Sequence, residues 1–129
     1  MRRLNSIALA AAAAITLAAG PAFAEGDAAK GEAVYKKCQA CHNATEEKNK
    51  VGPHLVGIIG RKAGSVEGYK YGKGLTDAAE RIGEWEEAEL IEYLADPKAY
   101  VGGPSKMAFK LTKEDERMDV VAYLKSLAK

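Results

Sequence analysis

The chain has 129 residues with 19 basic and 18 acidic side chains, so it is close to electrically neutral. That length suits one small domain, and nothing in the charge balance favours nucleic acid as a partner.

In chain order, a basic start (Arg2, Arg3) precedes an apolar, alanine-rich run from Ile7 to Ala19. Gly20-Pro21 breaks the run, and Ala22-Phe23-Ala24 has the small-x-small form of a signal-peptidase site. The run is 13 residues long, whereas a span needs about 20. The reading is a cleaved secretory signal over residues 1–24, in preference to a retained anchor, with one domain over 25–129 in the periplasm. Removing Arg2 and Arg3 leaves 17 basic against 18 acidic residues.

A first helix is expected from Asp27 to Cys38, capped by Asp27, with Ala29, Ala33 and Val34 near helical spacing. From Asn43 to Gly74 no regular pattern holds, and seven glycines and Pro53 punctuate the stretch. A short helix follows over Thr76–Ile82. Another runs from Glu84 to Ala95, with Leu90, Ile91 and Leu94 on one side and glutamates on the other, and ends before Pro97. The last helix begins at Thr112, with Asp115 three residues on as in a capping box, and buries Met118, Val121, Ala122 and Leu124 to Leu127. Three helices and a long irregular loop bury little core by themselves. The deficit points to a large apolar cofactor in the middle.

Cys38-Gln-Ala-Cys41-His42 decides which cofactor. A disulfide between Cys38 and Cys41 would close a very short loop and stabilise little. A thioredoxin-like dithiol opens a helix after a strand, and this motif follows a helix. Zinc could use Cys38, Cys41 and His54, in C-x2-C-x12-H spacing, but no histidine or cysteine follows at the fourth position. C-x-x-C-H is the attachment signature of c-type haem. Its two thiols add across the haem vinyl groups, and the adjacent imidazole reaches the iron as proximal ligand. One covalent haem c at Cys38 and Cys41, with His42 on iron, is the expectation.

What sits opposite His42 separates a carrier from an enzyme. Met118 belongs to the apolar stripe of the last helix, and His54 lies only 12 residues from His42 in the turn Val51-Gly-Pro-His-Leu55. Met107 stands in the loop Gly102-Gly-Pro-Ser-Lys-Met-Ala-Phe109 with no helical partner to pack in. It is the expected distal ligand. The alternative is a haem enzyme, or a gas- or peroxide-reactive protein, with a labile sixth position.

These residues resemble the class I cytochromes c, nearest the bacterial periplasmic cytochrome c2 and c-550 carriers. The resemblance rests on Gly26-Asp-Ala-Ala-Lys-Gly31, the C-x-x-C-H motif, Gly52-Pro53, Gly57-Ile-Ile-Gly-Arg-Lys62 and Tyr69-Lys-Tyr71. It continues through Trp85, Tyr93-Leu-Ala-Asp-Pro97, Lys106-Met-Ala-Phe109 and Val120-Val-Ala-Tyr-Leu124. It implies an all-α fold, three main helices plus one or two short ones wrapped around the haem. It further implies that Pro53 offers its carbonyl to His42, and that Arg61, Tyr71 and Trp85 surround a haem propionate. Tyr93 and Ser105 would attend the methionine side, and Gly31 and Tyr123 the crossing of the first and last helices. His54 stands where many relatives carry asparagine, and Gly72 to Gly83 aligns poorly.

The resemblance thus implies an electron-transfer protein rather than an enzyme, a monomer that meets membrane complexes only transiently. Lys37, Lys98, Lys106, Lys110 and Lys113 would rim the haem edge for acidic redox partners, whereas charge runs of this kind commonly serve only as solvated faces. A quinol-oxidising complex, a terminal oxidase, a photosynthetic centre and a dehydrogenase all suit such a rim.

Overall fold

The computed structural model describes residues 26–128, so the signal segment 1–24 lies outside the described residues. Five helices follow in order: α1 (Ala28–Tyr35), α2 (Lys73–Ile82), α3 (Glu87–Ala95), α4 (Pro97–Val101) and α5 (Glu114–Ser126). Among the described residues there is no strand, only an isolated bridge between Lys62 and Glu84, and no helix is long and apolar enough to cross a membrane.

α1 starts where the sequence places it: the Asp27 carboxylate accepts from the amides of Ala29 and Lys30 at 2.9 and 3.2 Å. The helix ends at Tyr35, and further turns carry the chain to Cys38. α1 crosses α5 at close range. A Cβ on Gly31 would stand 1.9 Å from the Asp119 carbonyl oxygen, so only glycine admits this approach. Tyr35 and Tyr123 stack beside the crossing with ring centroids 5.5 Å apart, and the Asp27 amide donates to Asp119 Oδ1 at 2.8 Å.

Besides α1 stopping short of Cys38, three further boundaries differ from the expectation. α2 begins at Lys73, three residues early, because Thr76 closes a turn on the Gly72 carbonyl through both its amide and its hydroxyl. Residues 84–86 are extended instead of helical: Trp85 exchanges backbone hydrogen bonds with Gly60 and Arg61, which pins the irregular loop to the rest of the fold. At α5, Lys113 is the N-cap and no side chain caps the helix. Arg117 reaches back instead, donating to the Leu111 and Thr112 carbonyls at 2.8 and 2.9 Å. Glu114, Asp115 and Glu116 fill the first turn, where acids oppose the helix dipole.

Pro97 ends α3 and also opens α4, which the sequence pattern did not reveal. A proline at the first helical position loses no hydrogen bond, and Asp96 caps the new turn by accepting from the Ala99 amide at 3.2 Å. The protein core gathers Trp85, Leu90, Val101, Leu111, Val120, Val121 and Leu124.

Candidate functional site

A cavity of about 420 Å³ opens beside this core. Cys38, Cys41, His42, Pro53, Tyr71, Trp85, Tyr93, Ser105 and Met107 all line it, as do Lys37 and Lys106. Its walls are otherwise mostly apolar, drawn from Leu55, Ile58, Leu75, Leu94, Val120 and Leu124 among others. The sequence stripes marked some of these leucines and valines as core. That they face a cavity was not legible, since burial against protein and burial against a ligand leave the same pattern.

The motif is presented by two turns after α1. The amides of Cys41 and His42 both donate to the Cys38 carbonyl, at 3.1 and 3.0 Å. The chain then doubles back: Gly52 donates to the Cys41 carbonyl and Leu55 to that of Asn43, each at 2.8 Å. This return brings the Pro53 carbonyl 2.7 Å from His42 Nδ1. A carbonyl only accepts, so Nδ1 carries the proton and the Nε2 lone pair is left to coordinate. Burial pulls the His42 pKa below its ordinary value, and the Arg61 and Lys50 charges push the same way against the Pro53 hydrogen bond. The neutral form of the ring is therefore favoured. A Cβ on Gly52 would lie 2.3 Å from His42 Cε1, so the imidazole rests against bare backbone.

Both cysteine sulfurs are unbridged. Burial pushes the Cys38 thiol up to about 11, against the pull of the Lys37 charge and helped by Cys41. His54 is held elsewhere: its amide donates to Asn49 Oδ1 at 3.0 Å, its Nδ1 accepts from Val56, and it is absent from the cavity wall. Cys38, Cys41 and His54 do not converge, and among the described residues no cluster of three metal-binding side chains forms. Met118 lines a separate groove between α3 and α5.

Met107, on the same cavity wall, is half-buried in a loop that folds on itself. Its amide donates to Ser105 Oγ at 3.2 Å, and that hydroxyl donates back to the Met107 carbonyl at 3.1 Å. The Tyr93 hydroxyl approaches Met107 Sδ at 3.6 Å. Burial, followed by the influence of Tyr69, pushes the Tyr93 pKa up to about 12, so its O–H remains a donor.

The Tyr71 hydroxyl accepts from the Val66 amide at 3.0 Å. Arg61 donates through Nη1 to the His54 and Val56 carbonyls, while its buried Nε has no acceptor among the described residues. It lies behind the cavity wall, not in it. Of the candidate docking lysines, Lys37 pairs with Glu116 at 3.5 Å and Lys110 with Asp96 at 3.3 Å. Lys98 and Lys113 are exposed.

The donor set fits a c-type haem: two neighbouring thiols, a neutral imidazole with a free Nε2, a thioether and an apolar enclosure converge on one cavity. Comparison with known proteins points the same way. The cytochrome c family profile matches residues 28–128. Cytochrome c2 of Rhodospirillum rubrum is 48% identical over 123 residues, covering 89% of this chain and 91% of that protein. Cytochrome c-550 of Paracoccus denitrificans is 45% identical over 128 residues, covering 87% and 81% respectively. The solved structure of cytochrome c2 from Rhodospirillum centenum superposes with a TM-score of 0.76 at 44% identity, over 81% of this chain and all of that one. The chain is a member of the cytochrome c family, with an all-α fold and one covalent haem c.

Proposed function

We propose that this protein shuttles single electrons in the periplasm, with Cys38 and Cys41 as thioether anchors and His42 and Met107 as the two axial ligands of the haem iron. When bound, the haem supplies reversible one-electron exchange between ferric and ferrous iron. The chain's own residues set the terms. Pro53 fixes the His42 ring and leaves Nε2 basic. The thioether of Met107 favours the ferrous state, as does an apolar wall that keeps water from the extra ferric charge. The single observation that carries this reading is the convergence of Met107 with His42 and both cysteines on one apolar cavity.

Closed on both sides, such a site has no coordination position for substrate, which supports a carrier over an enzyme. Tyr71 and Trp85, on the cavity wall, are assigned to the propionate surroundings, with Arg61 behind that wall as a nearby positive charge whose buried Nε has no acceptor among the described residues. Electron donors and acceptors would dock where Lys37 and Lys106 edge the cavity, with Lys98, Lys110 and Lys113 widening the positive field.

The test is the visible and far-red spectrum of the oxidised protein. A weak far-red band from methionine sulfur on ferric iron, absent in Met107→Ala, is the expected result. A haem spectrum lacking that band in the parent protein would sink the closed site and bring forward the reading as a haem enzyme or gas-reactive protein.

A further inference from the structure

Two loops contribute to the cavity wall. One carries Val51, which is 73% exposed and lies beside Gly52 and His42; the other carries Lys106 and Met107. The segment 69–74 lies between them and is bonded to both. The Tyr69 hydroxyl donates to the Val51 carbonyl at 3.0 Å. On the other side, Lys106 Nζ sits 5.6 Å from the centroid of the Tyr69 ring and donates to the Lys70 carbonyl. Tyr71 meets Tyr69 edge-on at 4.8 Å and holds that ring in place. Further along, the Gly74 amide donates to the Pro104 carbonyl at 2.9 Å, and a Cβ on Gly74 would stand 2.6 Å from the same oxygen.

We infer that Tyr69 and Lys106 are positioning residues that form a strap across the cavity opening, tying the Met107 loop to the His42 loop and controlling how readily an outside ligand displaces Met107. This rests on the reading of Met107 as distal ligand. Three points support a strap over a chance surface contact. The contacts join segments 18 and 36 residues apart. Val51, Tyr69 and Lys106 all line the cavity. The Tyr69 and Lys106 links run in series next to each other, while the Gly74–Pro104 bond anchors the far end of the segment. A lysine ammonium engaged by a carbonyl and an aromatic face is a local tether first.

The series arrangement gives the test its form. Tyr69→Phe removes the hydroxyl but keeps the ring under Lys106. Lys106→Met keeps the apolar stem but removes charge and donor. Imidazole is titrated into the oxidised holoprotein, and amide exchange is followed over residues 105–109. Each single variant should bind imidazole about fivefold more tightly, the scale of one surface hydrogen bond, and exchange those amides faster. The double variant should go no further than the stronger single one, whereas independent contacts would add. Lys30→Met, which removes one charge from α1, should match the parent.

Additive effects, or either readout unchanged in both single variants, would overturn the strap. A parent protein without the far-red band would overturn the Met107 assignment instead. Amide exchange alone would then decide the strap: faster in both variants upholds it, unchanged discards it.

Discussion

Asp96 does two jobs with one carboxylate. It caps α4 through the Ala99 amide and pairs with Lys110 at 3.3 Å. The Ala99 hydrogen bond first, and then Lys110, hold its pKa below the ordinary carboxylate value of 3.8 despite an opposing desolvation effect. A folded pKa below the unfolded one means the unfolded chain binds protons first as pH falls. The contribution of Asp96 to stability is therefore present above pH 3.8 and is lost as pH drops through the lower, folded value. Asp96→Asn keeps a capping acceptor but removes the titration. Its urea midpoint should fall below the parent's at pH 7 and approach it at pH 3; a gap that stays constant across that range would show that charge is irrelevant at this position.

At the scale of elements, the α1–α5 crossing sets the frame that holds Cys38, Cys41 and His42. Gly31→Ala forces a methyl into the Asp119 backbone, and neither partner is a flexible side chain that could yield. The expected cost is about 3 kcal/mol, the upper range for overpacking, read as a lowered urea midpoint at unchanged slope. A midpoint equal to the parent's would mean that the helices can part without loss. Much of this architecture was legible beforehand. Periodicity located α1, α3 and α5, and the C-x-x-C-H spacing located the attachment turn. What the sequence hid has physical causes. α4 is a single turn begun by the same proline that ends α3, so a residue that breaks one helix disguised the start of another. The cap of α5 was misplaced because Arg117, from inside the helix, satisfies the carbonyls of the preceding loop. Thr112 and Asp115 match the capping pattern without forming the bonds. The approach of Tyr93 to Met107 spans 14 residues; the family resemblance suggested it, while no local pattern encodes such a meeting.

For the molecule as a whole, charge is segregated even though the sum is small. Glu84, Glu86, Glu87, Glu89 and Glu92 cluster in and before α3, whereas lysines gather around the attachment motif and the Met107 loop. Lys113 is the cleanest probe of that field, because Lys106 and Lys110 have tethering or pairing duties that a substitution would also disturb. Lys113→Glu should slow oxidation of the reduced protein by ferricyanide, a small anionic oxidant, at low salt. Near 1 M salt, where the Debye length is about 3 Å, the two rates should coincide. A deficit independent of salt would assign Lys113 a role other than steering. The crossing of α1 over α5 has a further bearing on the molecule. Small domains usually loosen first at their termini. In this fold the first and last helices of the described residues form each other's packing surface, bonded from Asp27 to Asp119 across 92 positions. Neither end can peel away without stripping the other, so local opening there is tied to opening of the whole. The low-energy excursions are left to the stretches outside the helices at 43–72 and 102–113, which frame the haem cavity. Breathing in this protein is thus a property of the middle of the chain.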